Sequence, residues 1–142
     1  MTRGVPVFLA LALAALPLLA EGTPKPKKPH LDLRASPRMA LSPVTIHLTA
    51  EIVGGDDIEE WYCPEIEWNW DDGGKSVQES DCPPFGPDTK IERRFSATHD
   101  YPRAGVYNIK ISLRHKSQTL AAQTVRITIR PGVSDMSNEE QN

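Results

Sequence analysis

Apolar and polar residues alternate along several stretches of the chain, which is the pattern of β-strands that bury one face. The most regular alternation runs from Val44 to Ile52 and turns every second, apolar side chain inward. Another strand begins at Ile66 and places Trp68 and Trp70 on the same buried face. Because two indoles on one face need a thick apolar layer opposite them, this aromatic strand is predicted to organise the core.

Shorter alternating stretches predict the rest of the fold. They lie at residues 31–35, 91–101, 107–113 and 121–129, with a turn near 115–118 between the last two. Residues 75–87, which contain two adjacent prolines, predict an irregular excursion instead. No window shows the periodicity of an amphipathic helix, so the sequence predicts an all-β fold, an antiparallel sandwich of about seven strands.

The first twenty residues have the composition of a secretory signal peptide. Arg3 is their only charge, an apolar core follows it, and the small residue Ala20 precedes the expected cleavage point. The apolar run is short for a membrane span, although an uncleaved anchor is the alternative. A signal peptide at 1–20 predicts an exported protein, periplasmic or extracellular, with no membrane span after cleavage.

Composition divides the exported chain into three parts. Residues 21–30 are rich in proline and lysine and predict a solvated linker. Residues 31–131 hold all the predicted strands and are long enough to form one domain with a single core. Residues 132–142 are polar and are predicted to form a disordered tail.

The chain contains two cysteines, Cys63 and Cys82. Two cysteines in an exported chain predict one disulfide bond, because the compartments outside the cytoplasm are oxidising. Such a bond would join the start of the aromatic strand to the far end of the excursion that follows it.

Acidic and basic residues are unevenly distributed along the chain, whose formal net charge is −3. Between Glu51 and Asp81 there are eleven acidic residues and one basic residue, whereas between Asp88 and Arg130 there are nine basic and three acidic residues. The sequence therefore predicts a molecule with an acidic and a basic side. A nucleic-acid-binding domain would carry a net basic charge and a continuous basic stripe, so nucleic acid is not an expected partner.

Two motifs resemble the polycystic kidney disease (PKD) domain, an immunoglobulin-like β-sandwich family whose signature runs Trp-Asp-Phe-Gly-Asp-Gly and later His-x-Tyr-x-x-x-Gly-x-Tyr. The first motif is present as Trp68-Asn69-Trp70-Asp71-Asp72-Gly73, and the second is complete from His99 to Tyr107. Asn69 and Asp71 depart from the signature, which carries Asp and Gly there. The resemblance implies an immunoglobulin-like sandwich that serves in adhesion, spacing or recognition.

The same motifs have a structural explanation that does not depend on the family. Gly105 followed by Tyr107 at the start of an alternating strand is the layout of a tyrosine corner, in which the phenol bonds back to the preceding turn. Asp72 followed by Gly73 predicts a hairpin turn, in which glycine takes a positive φ and the aspartate caps nearby amides. The first two residues of the second motif, His99 and Tyr101, are predicted to be a buried polar pair.

No arrangement typical of an enzyme is visible. The serines lack a nucleophile elbow, and the four histidines are too scattered to suggest a zinc or copper site. Calcium is the more plausible metal, because four aspartates on predicted turns offer hard oxygen ligands, but no twelve-residue calcium loop contains them. These weak calcium candidates are Asp56, Asp57, Asp71 and Asp72. The protein is expected to be no enzyme and to need no cofactor.

Three aromatic residues near the cysteines, Trp61, Tyr62 and Phe85, lie outside the strand pattern. They could form an exposed platform for a sugar or protein, or they could pack around the disulfide as a satellite core. The expected function is an exported, non-enzymatic module that recognises an unidentified protein or carbohydrate through loops at one end. A calcium-binding module, an enzyme-accessory module and a structural spacer are the alternatives.

Overall fold

Eight β-strands in two sheets make up most of residues 28–133, the part of the chain that the computed structural model describes. They are β1 (His30–Ser36), β2 (Met39–Leu41), β3 (Val44–Val53), β4 (Glu65–Asn69), β5 (Lys75–Gln78), β6 (Arg94–Tyr101), β7 (Gly105–His115) and β8 (Gln118–Arg130). One sheet has the order β1-β3-β6 and the other β2-β8-β7-β4-β5. Apart from the parallel pair β2 and β8, neighbouring strands are antiparallel. The predicted immunoglobulin-like β-sandwich is confirmed.

Some sequence predictions concern residues outside the described part of the chain. The predicted signal peptide at 1–20 lies wholly outside the described part. The predicted linker at 21–30 also lies outside it, except for its last three residues. The last of these, His30, begins β1. Within residues 28–133, none of the helical segments has the length and apolar character needed to cross a membrane.

Two strands differ from the sequence prediction. The first predicted strand continues, after a break at residues 37 and 38, as the short β2 of the opposite sheet. Strand β5 lies inside the segment that was predicted to be an irregular excursion. Its residues are all exposed, so it has no buried alternate positions and carries no periodic apolar signal.

The core lies between the sheets and is built from the alternate residues that the sequence pattern predicted to face inward. Strand β4 contributes Ile66 and Trp68, and Ile111 of β7 lies directly opposite Trp68 across the ladder. The largest of the fully buried side chains come mainly from the central strands: Ile46, Leu48, Ile52, Tyr101, Ile109, Ile111, Leu113 and Ile127. Burial of this apolar layer is the main force that holds the two sheets together.

The described chain ends in a packed position. The Gly132 backbone N–H donates to Ser42 Oγ at 3.0 Å, and the Ser42 N–H donates to the Arg130 carbonyl at 3.0 Å. A Cβ atom on Gly132 would lie 1.8 Å from the Ser42 carbonyl oxygen, so only glycine fits. Gly132, the first residue of the predicted tail at 132–142, is thus packed against the sandwich, and residues 134–142 lie outside the described part.

The acidic and basic segments of the sequence are neighbours in space. The acidic strand β4 lies between β5 and the more basic β7. Three ion pairs and one hydrogen bond join the two segments: the ion pairs are Arg93 with Asp57, Arg94 with Glu51 and Arg114 with Glu65, and the hydrogen bond is His99 with Asp72. The sheet order keeps β8 and β7 of the basic segment on one side and β4 and β5 of the acidic segment on the other, so these contacts lie where the two segments meet. The division into an acidic and a basic side stays a prediction.

One lateral side of the sandwich is left open between two sheet edges. Strand β5 is the last strand of the five-stranded sheet, and β6 is the last strand of the three-stranded sheet. Residues 79–93 connect these two edges and contain no regular strand. The disulfide and the cleft described below lie on this side.

Candidate functional site

The first motif forms the turn between β4 and β5. The Trp70 N–H donates to the Gly74 carbonyl at 3.1 Å, and Gly73 has a φ of +91°. Asp72 Oδ1 accepts the Gly74 N–H at 2.8 Å. Asp71 also has a positive φ, 62°, and its Oδ2 accepts the Asn108 backbone N–H at 2.7 Å, which ties the turn to β7. The carboxylates of Asp71 and Asp72 thus accept hydrogen bonds from backbone amides.

The second motif forms the corner between β6 and β7. The Tyr107 hydroxyl donates to the Arg103 carbonyl at 3.0 Å, which is the bond of a tyrosine corner. A Cβ atom on Gly105 would lie 3.0 to 3.1 Å from the Tyr107 ring, so glycine lets the ring lie close to the backbone. Tyr101 is fully buried, and its hydroxyl donates to the Trp70 carbonyl at 2.8 Å. Burial raises the pKa of the Tyr101 phenol, which therefore stays protonated and remains a donor.

His99 joins the two motifs. Its ring is stacked on Trp70, with centroids 4.4 Å apart and planes 1° from parallel. Its Nε2 lies 2.7 Å from Asp72 Oδ2, and this hydrogen bond lowers the pKa of the Asp72 carboxyl. The Tyr101 ring packs edge-on against the His99 ring, with ring centroids 4.9 Å apart. The expected buried polar pair of His99 and Tyr101 is thus only partly correct, because His99 is half-buried and its polar partner is Asp72.

The His99 and Asp72 pair has the chemistry of a general base and its orienting carboxylate. Within residues 28–133, however, His99 makes its hydrogen bond to Asp72 and makes none to a serine, threonine or cysteine. The flat stack on Trp70 also covers one face of the imidazole. The arrangement therefore holds the turn against β6.

The four calcium candidates do not converge on one point. Asp57 pairs with Arg93 at 2.7 Å, while Asp71 and Asp72 accept the hydrogen bonds already described. Asp56 is exposed in the loop that precedes Asp57. In the described part of the chain, no three acidic, histidine or cysteine side chains are grouped so that they could hold a metal ion.

The two cysteines form the predicted disulfide, with Cα atoms 6.2 Å apart. Beside it, the Tyr62 hydroxyl donates to the Pro83 carbonyl at 2.8 Å, and the Tyr62 and Phe85 rings are 5.4 Å apart. Trp61 is only 6% exposed and belongs to the core cluster. The three aromatic residues therefore do not form an exposed platform, because the indole is buried and the other two rings pack on each other.

A cleft of about 480 Å³ opens between the sheet edges beside the disulfide. Its floor includes the buried side chains of Ile66 and Phe95, and its rim carries three charged residues. The lining residues come from three separate segments of the chain: Tyr62, Cys63, Pro64, Ile66, Gln78, Ser80, Cys82, Lys90, Glu92, Arg94, Phe95 and Ser96. Sequence reasoning missed the cleft, because only the docking of the two sheets brings these segments together.

Among solved structures, the chain is similar to the PKD domain of an M14-like peptidase from Thermoplasmatales archaeon SCGC AB-540-F20. The two are 15% identical with a TM-score of 0.48, over 75% of this chain and 99% of that domain. This neighbour is a PKD domain, the kind that the two motifs resemble. No protein-family model and no curated protein matches the sequence.

Asp72→Asn is expected to lower the free energy of unfolding at neutral pH by about 1 kcal/mol or less, because the pair with His99 is partly exposed. The pKa of Asp72 is lower in the folded protein than its ordinary value of 3.8. The stabilisation is therefore complete above about pH 5 and is lost as the pH falls through about 4 and below. Urea unfolding between about pH 7 and pH 2 measures this effect.

Asp56→Asn is the matched control for this prediction, since the Asp56 side chain makes no ion pair with a described residue. Its stability should follow the parent protein at every pH. A difference between parent and Asp72→Asn that stays constant down to about pH 2 would show that the bond to His99 does not depend on the Asp72 charge.

Proposed function

We propose that this protein is an exported, non-catalytic recognition module that binds another protein at the cleft beside the Cys63–Cys82 disulfide. The observation that carries the proposal is the cleft itself, about 480 Å³ in volume, with a buried apolar floor and a charged rim. Recognition sites commonly combine these two features, since apolar surface supplies affinity and a few polar groups supply orientation. The proposed binding surface is thus the open side of the sandwich, and not the end loops.

Protein is favoured over carbohydrate because the aromatic residues are not displayed. Sugar-binding platforms depend on the open face of an aromatic ring. Trp61, Trp68 and Trp70 are each buried to 6% exposure or less, and Tyr62 packs against Phe85. The cleft offers aliphatic surface, the buried Phe95 and the partly buried Tyr62, with both signs of charge at its rim, which suits side chains of a protein.

The disulfide supports an exported location and also orders the cleft. Disulfide bonds persist in oxidising compartments outside the cytoplasm. Cys63 and Cys82 both line the cleft, so the bond holds two of its walls in place. A rigid wall lowers the entropy lost on binding, which favours recognition over a role as a passive spacer.

Site-specific photo-cross-linking in the cell that produces the protein tests the proposal. A benzophenone amino acid replaces Ser96, which lies at the cleft, or Lys110, which is exposed on the outer face of β7. We expect a protein adduct from position 96 that position 110 does not form, and we expect Gln78→Trp to abolish it by filling the cleft. Equal adducts at both positions, or an adduct that Gln78→Trp leaves unchanged, would contradict the proposal.

A further inference from the structure

Strand β5 has an unpaired edge next to the cleft. It pairs with β4 on one side and with no described strand on the other. All four of its residues are exposed, and Val77, near its middle, is 56% exposed. Proteins usually protect such an edge with a charge, a proline or a covering segment, because it can pair with another chain. In β5, Lys75 supplies a charge at one end of a strand of four residues, but an apolar residue stands near the middle of the edge.

The ladder register shows which backbone groups of β5 are free to pair. The Trp70 N–H donates to the Gly74 carbonyl, so this pair is a hydrogen-bonded one. Hydrogen-bonded and non-hydrogen-bonded pairs alternate along an antiparallel ladder. Val77, which lies opposite Glu67, therefore falls in a non-hydrogen-bonded pair. Its N–H and C=O point away from β4, towards the open edge.

A strand added beside β5 would turn every second side chain towards the space between the sheets, because strand side chains alternate between faces. That space is the cleft, which Gln78 of β5 lines together with Phe95 of the opposite sheet. The backbone edge and the cleft are thus two parts of one surface. Peptide recognition by strand addition uses the same division, in which backbone bonds give affinity and pockets for alternate side chains give specificity.

The lining residues indicate what those side chains should be. The floor at Ile66 and Phe95 is buried and apolar. At the rim, Lys90 makes no ion pair with a described residue. Arg94 pairs with Glu51, but this ion pair is exposed, and its Nη2 and Oε2 atoms are 3.5 Å apart. The rim thus carries two cations, Lys90 and Arg94, and one acid, Glu92. This excess of positive charge favours an acidic group on the ligand. An apolar and an acidic residue two positions apart in a strand would face the floor and the rim together.

We infer that β5 and the cleft bind an extended segment of a partner protein, which adds as a further strand to the five-stranded sheet and inserts an apolar and an acidic side chain between the sheets. This inference rests on the proposed function and specifies its ligand. A second copy of the chain fits less well. Self-pairing at β5 would turn only Ser76 and Gln78 inward, and these polar side chains would leave the apolar floor uncovered.

The experiment selects binders from a phage library of random linear peptides on the purified full chain and measures the affinity of the selected peptides. Val77→Pro removes the outward N–H without removing a bond to β4, and proline is tolerated at such edge positions. Val77→Thr is its control, because threonine keeps both the N–H and the strand preference. Gln78→Trp fills the cleft, and Lys110→Trp adds the same ring on the outer face of β7. Thermal melts show that each variant is folded.

We expect the selected peptides to carry an apolar and an acidic residue two positions apart. Val77→Pro and Gln78→Trp should each weaken their binding at least about tenfold, while the two control variants should bind as the parent does. Bound peptide should also slow hydrogen exchange at the Val77 amide. If Val77→Pro fails to fold, this exchange in the parent still tests the strand pairing.

Four results would overturn the inference. Peptides whose binding depends on Gln78 but not on the Val77 N–H would mean that the cleft is used without strand addition, and the proposed function would survive. Peptides insensitive to Gln78→Trp, or no selected peptide at all, would contradict both. Concentration-dependent dimerisation that Val77→Pro abolishes and peptide does not inhibit would assign the edge to a second copy.

Discussion

Trp68→Ala is expected to lower the free energy of unfolding by about 3 to 5 kcal/mol, the range for removing a large buried aromatic side chain. The indole is 2% exposed, lies parallel to Trp70 with ring centroids 5.6 Å apart, and faces Ile111 on the next strand. Its removal opens a cavity beside Trp70, at one end of the series of ring contacts that joins the two motifs. Domains of this size have only about 5 to 15 kcal/mol of total stability, so the loss is a large part of it.

A thermal melt measures this effect, which should lower Tm by more than about 10 °C. Glu67→Ala is the matched control, because Glu67 is the next residue on β4 but points outward, where its pair with Lys75 at 3.4 Å is partly exposed. Glu67→Ala should lower the free energy of unfolding by less than about 1 kcal/mol. A Trp68→Ala protein that melts within a few degrees of the parent would mean that the indole does not face the core.

Removing the disulfide with Cys63→Ser and Cys82→Ser together is expected to lower the free energy of unfolding by about 3 kcal/mol. The two cysteines are 19 residues apart, and in the chain-entropy model a loop of this length gives a stabilisation of that size. The bond encloses β4 and β5, but the ladder between these strands does not depend on it. Residues 79–93 should therefore loosen first, because they have no regular strand pairing of their own.

Hydrogen exchange with mass spectrometry distinguishes the local from the global effect. In the double variant, exchange should rise in residues 79–93 before it rises in β7 and β8. A reducing agent should bring the parent protein to the stability of the double variant and should leave the double variant itself unchanged. Equal stability of the oxidised parent and the double variant would show that the bond does not restrain the unfolded chain as the model requires. Peptide binding at the cleft should weaken with the bond removed, since two of its walls are then free.

Features that depend on neighbouring residues were predictable from the sequence. The inward alternation of Ile66, Trp68 and Trp70 follows from the two-residue period of a strand, and all three are buried. The turn at Gly73 follows from its freedom to take a positive φ. The bond from Tyr107 to the Arg103 carbonyl spans four residues and so belongs to the local motif.

Features that depend on the pairing of distant strands were not predictable. Strand β5 has no buried alternate residues, so its pairing with β4 carries no signal in its own composition. Asp72 meets His99 across 27 positions of sequence. The ion pair between Arg114 and Glu65 forms because β7 pairs with β4, 49 positions apart in the sequence at these residues. Gly132 is required only because Ser42, 90 positions earlier, approaches its Cα.

The sequence by itself determined that the chain forms strands with one apolar face, that they pack as a sandwich, and where its motif turns lie, because strand period and turn chemistry are local properties. The tertiary structure alone decided which edges remain open and what lies between them. The cleft joins Ile66, Gln78 and Phe95 from three segments, and the free edge of β5 lies beside it. A binding surface of this kind arises from the relative position of two sheets, which depends on long-range packing of the whole core and not on any single stretch of residues.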